Sequence, residues 1–384
     1  MTMYYHATSQ TWFHQQTNKI TIPFGQSYLL YKDYGQSVAF PIKIRSKSSV
    51  TLVGILTSRN EKGKLLVNAR LFKQIQREIL QNGGISFIFS LQDIEYDEID
   101  GIVYEPESDS WLETRFPLPS IVYNRIIHRQ EEKSETFQDM TTYFAQHQIP
   151  FFNPCFMDKW ELYEALKQNP ILSPCLPFTQ KIENKNTLVN MLTTYSSAYV
   201  KQITSSQGEG ISLIKLNPDS SVLRKNASST IKFPSISELW REHENWASHH
   251  IIQEHILTDM YQGHKYDLRV MAHSDGKLYN VTGIGIRLAG KEKITTHVKR
   301  GGSVLPFEKI KHRVNEQKVQ EIVTECGKCL SDRFGWMGEF TLDLGLSTEG
   351  DLFLFEINSK PMKFDEEGIE EERIKSLVKI FTSN

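Results

Sequence analysis

The chain has 384 residues, 39% of them hydrophobic and 23% charged, with 44 Lys and Arg against 46 Asp and Glu. Such a length predicts two or three globular domains, and so even a charge leaves no footprint for nucleic acid and no acidic run for disorder. No stretch approaches the roughly 18 apolar residues of a membrane span, no secretory signal opens the chain, and four cysteines make no disulfide framework, so the expectation is a cytoplasmic protein or one assembled from the cytoplasm.

Residues 1–48 are rich in Tyr, Gln, Ser and Thr, with short apolar pieces such as "SYLLY" and "SVAFPIKI", and predict a small β-rich extension. From Thr51 the pattern changes. "TLVGILT" reads as a buried strand, and "NARLFKQIQREILQ" places Leu71, Phe72, Ile75, Ile79 and Leu80 on one helical face that Gly83 and Gly84 terminate. "ISFIFS", "DGIVYE" and "SIVYNRI" read as strands, and "SETFQDMTTYFAQHQ" as a helix before "IPFFN". Alternating strands and helices over 49–153 predict a parallel α/β unit. Its first loop, "TSRNEKGK", lacks G-x-G-x-x-G, which argues against a dehydrogenase. "FMDKWELYEALKQ" predicts a helix with Asp158 near its start, followed mostly by strands and turns to about 310, then a helix, two strands and the final helix "IEEERIKSLVKIF". Cys326 and Cys329 stand as "CGKC" within a helical stripe of Val319, Ile322, Val323, Cys326 and Leu330. A single pair lacks the second half of a zinc site, so packing is the expectation.

The most telling stretch is "GEFTLDLGL", joined by "STEGD" to "DLFLFEINS", which reads as a hairpin. Strand side chains alternate faces. Glu339, Thr341 and Asp343 then share one face, and in the partner strand Glu356 and Asn358 share one, with Phe355 and Ile357 opposite. If the polar faces coincide, two carboxylates and an amide oxygen converge, a hard-oxygen set suited to Mg²⁺ or Mn²⁺. A solvated hairpin edge would show the same alternation.

Upstream, "YVKQITSSQGEGISLI" puts Lys201 at a strand end before a loop containing Ser205, Ser206, Gly208 and Gly210. Glycine amides and a lysine suit phosphate oxygens, although the loop is no Walker A motif and an ordinary glycine hairpin reads the same way. In "IIQEHILTDMYQGHKYDLRVMAH", main-chain groups of Glu254 and Ile256 could meet a purine edge and Asp267 ribose hydroxyls, while Arg269 projects opposite Leu268 and Val270. A surface salt bridge would account for Arg269 as well, and Arg287 and Arg300 offer planar guanidiniums suited to a transferring phosphoryl group or an acyl phosphate. His297 reads as a solvated loop histidine rather than a base.

In this order, "MDKW", "YVKQ", "IIQEHI", "YDLR", "KRGG", "TLDLG" and "FEINSKP" resemble the ATP-grasp superfamily, and "VGIL", "PLPSIVYNRI" and "NPCFMDKWELYEAL" resemble its YheC/YheD branch of endospore coat-associated proteins. The resemblance implies an α/β and α+β multidomain chain: the β-rich extension at 1–48, a Rossmann-like pre-ATP-grasp domain at 49–153, and an ATP-grasp domain at 154–384 split into α+β subdomains 154–250 and 251–384. It implies ATP held by Lys159, Lys201, Ser206, Gly208, Gly210, Glu254, Ile256 and Asp267. Mg²⁺ or Mn²⁺ would sit on Asp343, Glu356 and Asn358, with Arg269, Arg287 and Arg300 at the γ-phosphate and acyl phosphate. The implied activity is a carboxylate–amine ligase acting on a small acid and amine or a peptide, with spore coat proteins as partners and a place in spore coat formation. A nucleotide-binding coat protein without turnover and a phosphotransferase are the rival readings. The chain departs from common relatives at His297 and at Lys360, Pro361 and Met362, which bears on the acceptor side.

Overall fold

The structure is a computed structural model and describes residues 1–17, 20–43, 49–205, 210–274, 276–290, 296 and 301–383. Among these, four β-sheets follow one another in chain order; the first packs on the second, and helices pack on the second, third and fourth.

The first sheet holds Thr2–His6, Thr11–His14, Ile22–Phe24, Ser27–Tyr31 and Val38–Pro41. Trp12 fixes it to the next sheet. Its ring lies 5.3 Å from Phe40 and 5.1 Å from Phe116, and its indole N–H donates to the Arg115 carbonyl at 3.0 Å. A buried indole contributes both apolar area and one satisfied donor, so it serves as an anchor between layers.

The second sheet runs Ser110–Pro117, Glu98–Glu105, Gly84–Phe89, Thr51–Leu56, Ile121–Asn124 and Phe151–Phe152 in spatial order. The last four of these strands are parallel. The expected parallel unit stops there, because Glu98–Glu105 runs antiparallel to Gly84–Phe89 and pairs with Ser110–Pro117 in a hairpin. Helix Ala69–Leu80 packs as its periodicity predicts: Leu71, Phe72, Ile75, Ile79 and Leu80 are all buried, and the Asn68 side chain caps the Leu71 N–H. The final helix, Glu367–Thr382, returns to this sheet. Ile374, Leu377, Val378 and Phe381 share one core with Val53, Ile55, Phe72 and Ile75.

The third sheet is antiparallel, in the order Thr179–Lys181, His250–Glu254, Ser197–Gln202, Ser212–Leu216, Val222–Lys225, Thr230–Phe233, and helices Lys185–Tyr195 and Ile236–Glu242 share its core. The fourth, also antiparallel, is Ser303–Leu305, Tyr279–Leu288, His264–Ser274, Glu339–Leu346, Leu352–Asn358. Helix Glu316–Phe334 covers its apolar face, with Val319, Ile322, Val323, Cys326 and Leu330 all fully buried, so the cysteine pair belongs to a packing stripe. All four cysteines are free.

A buried polar knot joins these layers. The Glu339 carboxylate, 0% exposed, accepts from Arg373 Nε at 2.5 Å and from the Tyr123 hydroxyl at 2.7 Å. Burial pushes its pKa up, but Arg373 and the hydrogen bonds from His273 and Arg373 more than reverse this and hold it well below the usual carboxylate range. The second sheet, the fourth sheet and the final helix therefore meet at one charge pair.

Candidate active site

The polar face of the fourth sheet carries the expected residues in register. Asp343 pairs directly with Glu356 and Thr341 with Asn358 across the hairpin, while Arg269 stands opposite Asp343 on its other side and Asp267 opposite Arg287. Facing pairs in a ladder have Cβ atoms about 4.5–5.5 Å apart, so the two carboxylates and the amide form one compact group. The other face, with Phe340, Leu342, Leu344 and Ile357, belongs to the core.

One residue departs from strict alternation. The register shifts between Asp343 and Leu344, so Leu344 faces Leu354 and Phe355 is the extra residue of a bulge. Alternation alone puts Phe355 on the face of Ile357; instead its ring lies over Gly345, on the Asp343 side, and walls the cleft beside Glu356. Bulges re-aim side chains in this way. A Cβ at Gly345 would come within 2.3 Å of that ring, so glycine is required there.

Three adjoining cavities meet at Glu356, which lines all of them. The first lies between the third and fourth sheets and is walled by Lys201, Glu254, Ile256, Asp267, Arg287 and Asp343. The second contains Lys159, Lys201 and Asn358, and the third Arg269, Arg287, Asp343 and Asn358. Residues from "YVKQ", "IIQEHI", "YDLR" and "FEIN" are thus brought together. Gly210 is exposed in the αL region, φ +66°, on the edge of the loop. Ser206, Gly208, His297 and Arg300 lie outside the described residues.

Lys201 is buried, and its ammonium donates to the Gln253 side-chain oxygen, while the Gln253 amide donates to Thr179 Oγ1 at 3.0 Å. Burial pulls its pKa down to about 8, with Lys159 adding to this and Glu356 and Asp343 opposing it. Lys159 is the first residue of helix Lys159–Leu166, which Asp158 caps by accepting from the Glu161 N–H. Its ammonium donates to the Ser205 carbonyl, and burial lowers its pKa as well. Two desolvated ammoniums beside carboxylates form a site short of negative charge at its cationic end and of positive charge at its acidic end.

Arg287 bridges two carboxylates. It donates through Nε and Nη2 to Asp267 at 2.8 and 2.6 Å, and Nη2 lies 2.8 Å from Asp343 Oδ2. Burial works against its charge, but Asp267 and Asp343 more than offset that and hold it protonated. Asp267 also accepts from the Thr296 hydroxyl at 2.5 Å, so its oxygens are engaged within the protein. Arg269 stacks on Phe364 at 5.1 Å, and its buried Nε has no hydrogen-bond partner among the described residues. Glu254 gives its backbone N–H to the Phe178 carbonyl at 2.8 Å, and its carboxylate accepts from the Phe178 N–H at 3.2 Å. Sequence reasoning assigns no site role to Gln253, Lys265, Arg125 or Arg129, puts Phe355 on the opposite face, and marks Lys360 only as a departure on the acceptor side; all six line the cavities.

Residues 148–382 match the YheC/D like ATP-grasp family. The chain belongs to that family. It is 28% identical over 297 residues to the endospore coat-associated protein YheD of Bacillus subtilis, covering 73% of this chain and 65% of that protein, so it spans less than two thirds of that relative. It is 22% identical over 299 residues to YheC of the same organism, covering 72% of this chain and 81% of that one. Among solved structures it resembles the VanG D-Ala:D-Ser ligase of Enterococcus faecalis, at TM-score 0.51 and 13% identity over 86% of this chain and 99% of that one. At that identity the likeness shows the ATP-grasp fold, with mixed α/β content and several sheets.

Proposed function

We propose that this YheC/D-like chain is an ATP-dependent carboxylate–amine ligase that works through an acyl phosphate. One observation carries the reading: Asp343 and Glu356 face each other in register on a cleft that Lys201 enters from the opposite sheet. In domain terms the extension at 1–48 and the α/β unit at 49–153 precede an ATP-grasp domain at 154–384.

The donor set fits a hard divalent cation. Among the described residues no third His, Cys, Asp or Glu joins the two carboxylates, so the remaining donor is the amide oxygen of Asn358, and all donors are oxygen. Asp343 already has Arg287 2.8 Å from Oδ2, which marks the place as one that calls for positive charge. Asp343, Glu356 and Asn358 would hold Mg²⁺ or Mn²⁺ there, and the cation would supply positive charge that offsets the phosphates of ATP.

The adenosine end of ATP would occupy the first cavity between the Glu254–Ile256 main chain and Phe355. Lys159 and Lys201 would hold the phosphates, with Gln253 aiming the Lys201 ammonium. A substrate carboxylate attacks the γ-phosphorus and ADP leaves. An amine then attacks the acyl carbon and inorganic phosphate leaves, so one ATP is converted to ADP and phosphate for each amide formed. Arg269 and Arg287 lie beside Asp343, where charge builds on the transferring phosphoryl group, and preorganised guanidiniums are most effective in such a partly dry cleft. Asp267 orients Arg287 through its two-pronged pair. The walls keep water from the acyl phosphate.

The names of YheD and YheC lead us to assign this activity to spore coat formation, with coat proteins as partners. The test is ADP release and product mass spectrometry over pooled amino acids and peptides. Release that needs both an acid and an amine, with an amide product, supports ligation. A phosphorylated alcohol would indicate a phosphotransferase, and tight nucleotide binding without turnover a scaffold.

A further inference from the structure

The third cavity, about 340 Å³, holds more positive charge than the proposed phosphoryl transfer uses. Arg269 and Arg287 line it together with Asp343 and Glu356. Arg125, Arg129 and Lys360 line it too, and Arg125 and Arg129 come from the segment that follows strand Ile121–Asn124 of the second sheet.

Lys360 is accounted for. Its ammonium is paired with Glu132 and also donates to Asn124 Oδ1 at 3.1 Å and the Ile126 carbonyl at 3.0 Å. The two arginines are not. The carboxylate nearest Arg125 is Glu339 at 3.9 Å, which Arg373 already holds through two nitrogens. Arg125 otherwise donates to the Pro361 carbonyl at 3.1 Å and the Tyr123 hydroxyl at 3.3 Å. Arg129 donates to the Met157 carbonyl at 3.0 Å and stacks on Phe156 at 4.8 Å. The acidic groups whose charge reaches Arg129 are Glu132, Asp158 and Glu356. All three are engaged elsewhere, since Glu132 pairs with Lys360, Asp158 caps a helix, and Glu356 belongs to the oxygen cluster.

A largely buried guanidinium whose hydrogen-bond partners are all neutral, with its nearest carboxylates already engaged by other groups, is costly to keep, and the cost is recovered when a planar oxyanion reaches its fork. We infer that the third cavity binds the oxyanion of a substrate that carries one beyond its reacting group, held by Arg125 and Arg129. The substrate class is then a dicarboxylate: a free amino dicarboxylic acid, or an acidic residue of a peptide. Only the identity of the reacting group rests on the ligase reading. Ile127 and Met362, 53% and 40% exposed, line the mouth, where either source could enter.

The test uses the full chain and calorimetry with four probes: L-glutamate against L-glutamine, and tetraglutamate against tetraglutamine. Expected is at least tenfold tighter binding of the acidic member of one pair, falling to parity in Arg125→Gln and largely restored in Arg125→Lys. Preference confined to glutamate identifies a free amino acid, and preference confined to tetraglutamate a peptide. Arg125 lines the third cavity and neither of the other two, so Mg·ATP affinity, measured separately, should stay within about twofold of wild type in Arg125→Gln. A purely structural Arg125 would alter melting and leave the acid-to-amide ratio unchanged. Equal affinity for both members of each pair, no binding of any probe, or an acid preference that survives in both Arg125→Gln and Arg129→Gln overturns the inference. Absence of Mg·ATP binding in the wild type, with its acid preference intact, would instead count against the ligase reading.

Discussion

Lys201 gives the sharpest energetic prediction. A lysine near 10.5 when exposed is drawn to about 8 in the folded chain. That difference, at about 1.4 kcal/mol for each pH unit, means that the buried ammonium costs the fold on the order of 3 kcal/mol while it is protonated. The full penalty is present below about pH 8, where folded and unfolded chains both hold the proton. Between about 8 and 10.5 the unfolded chain binds more protons than the folded one, so stability rises with pH across that window. Lys201→Met removes the charge and leaves Gln253 Oε1 without its donor, a loss of about 1–3 kcal/mol. The substitution should therefore be neutral to stabilising by up to about 2 kcal/mol at pH 7, and it should flatten the rise above pH 8. It should also abolish nucleotide binding. In the wild type, phosphate oxygens beside Lys201 should restore its proton, so nucleotide binding at pH 8 should take up on the order of half a proton, falling toward none at pH 6.5. Urea unfolding from pH 7 to 10 and calorimetry in buffers of different ionisation enthalpy read both effects. A variant clearly less stable than wild type at pH 7 with an unchanged pH slope, or nucleotide binding with no proton uptake at pH 8, would refute the reasoning.

Three further perturbations follow from particular contacts. Glu339→Ala leaves the fully buried Arg373 with only Glu370 at 3.3 Å and the Pro361 carbonyl, takes the acceptor from the Tyr123 hydroxyl, and should cost about 3–5 kcal/mol in urea unfolding; a loss below about 1 kcal/mol would contradict the knot between sheets and final helix. Gly345→Val meets the Phe355 ring and should cost about 1–3 kcal/mol while weakening nucleotide affinity, so an unchanged melting point with unchanged affinity would argue against Phe355 as a wall of the cleft. Burial raises the Cys326 thiol well above its ordinary range, so a thiol reagent should leave Cys326 untouched in the native chain and label it only in denaturant; rapid native labelling would contradict the packing stripe.

Periodic features are legible from the chain alone. Helix Ala69–Leu80 and the stripe of Glu316–Phe334 repeat apolar residues along one face and lie where that repeat puts them. The Asp343–Glu356 hairpin is legible because polar residues persist on one face of strands whose other face is apolar. Strand Ser110–Pro117 escapes such a reading, since Glu113 and Arg115 interrupt its apolar residues and it lies at the sheet edge. Phe355 falls on the other face from the one alternation gives it, because a one-residue bulge leaves no mark on the pattern. Arg125 and Arg129 are beyond reach for another reason, and Lys360 is marked on the acceptor side without its neighbours. Lys360 meets Asn124 across 236 residues of chain, and no local pattern encodes which distant segments share a wall.

The central claim is that Asp343, Glu356 and Asn358 hold a divalent cation that brings ATP into the cleft. Titration of ATP into the pure protein, with Mg²⁺ and with a chelator, for wild type and Asp343→Asn, tests it most directly. The account predicts saturable binding in the wild type that requires Mg²⁺, and its loss in a variant whose circular dichroism is unchanged. Binding that ignores the chelator, or that survives intact in Asp343→Asn, would contradict it.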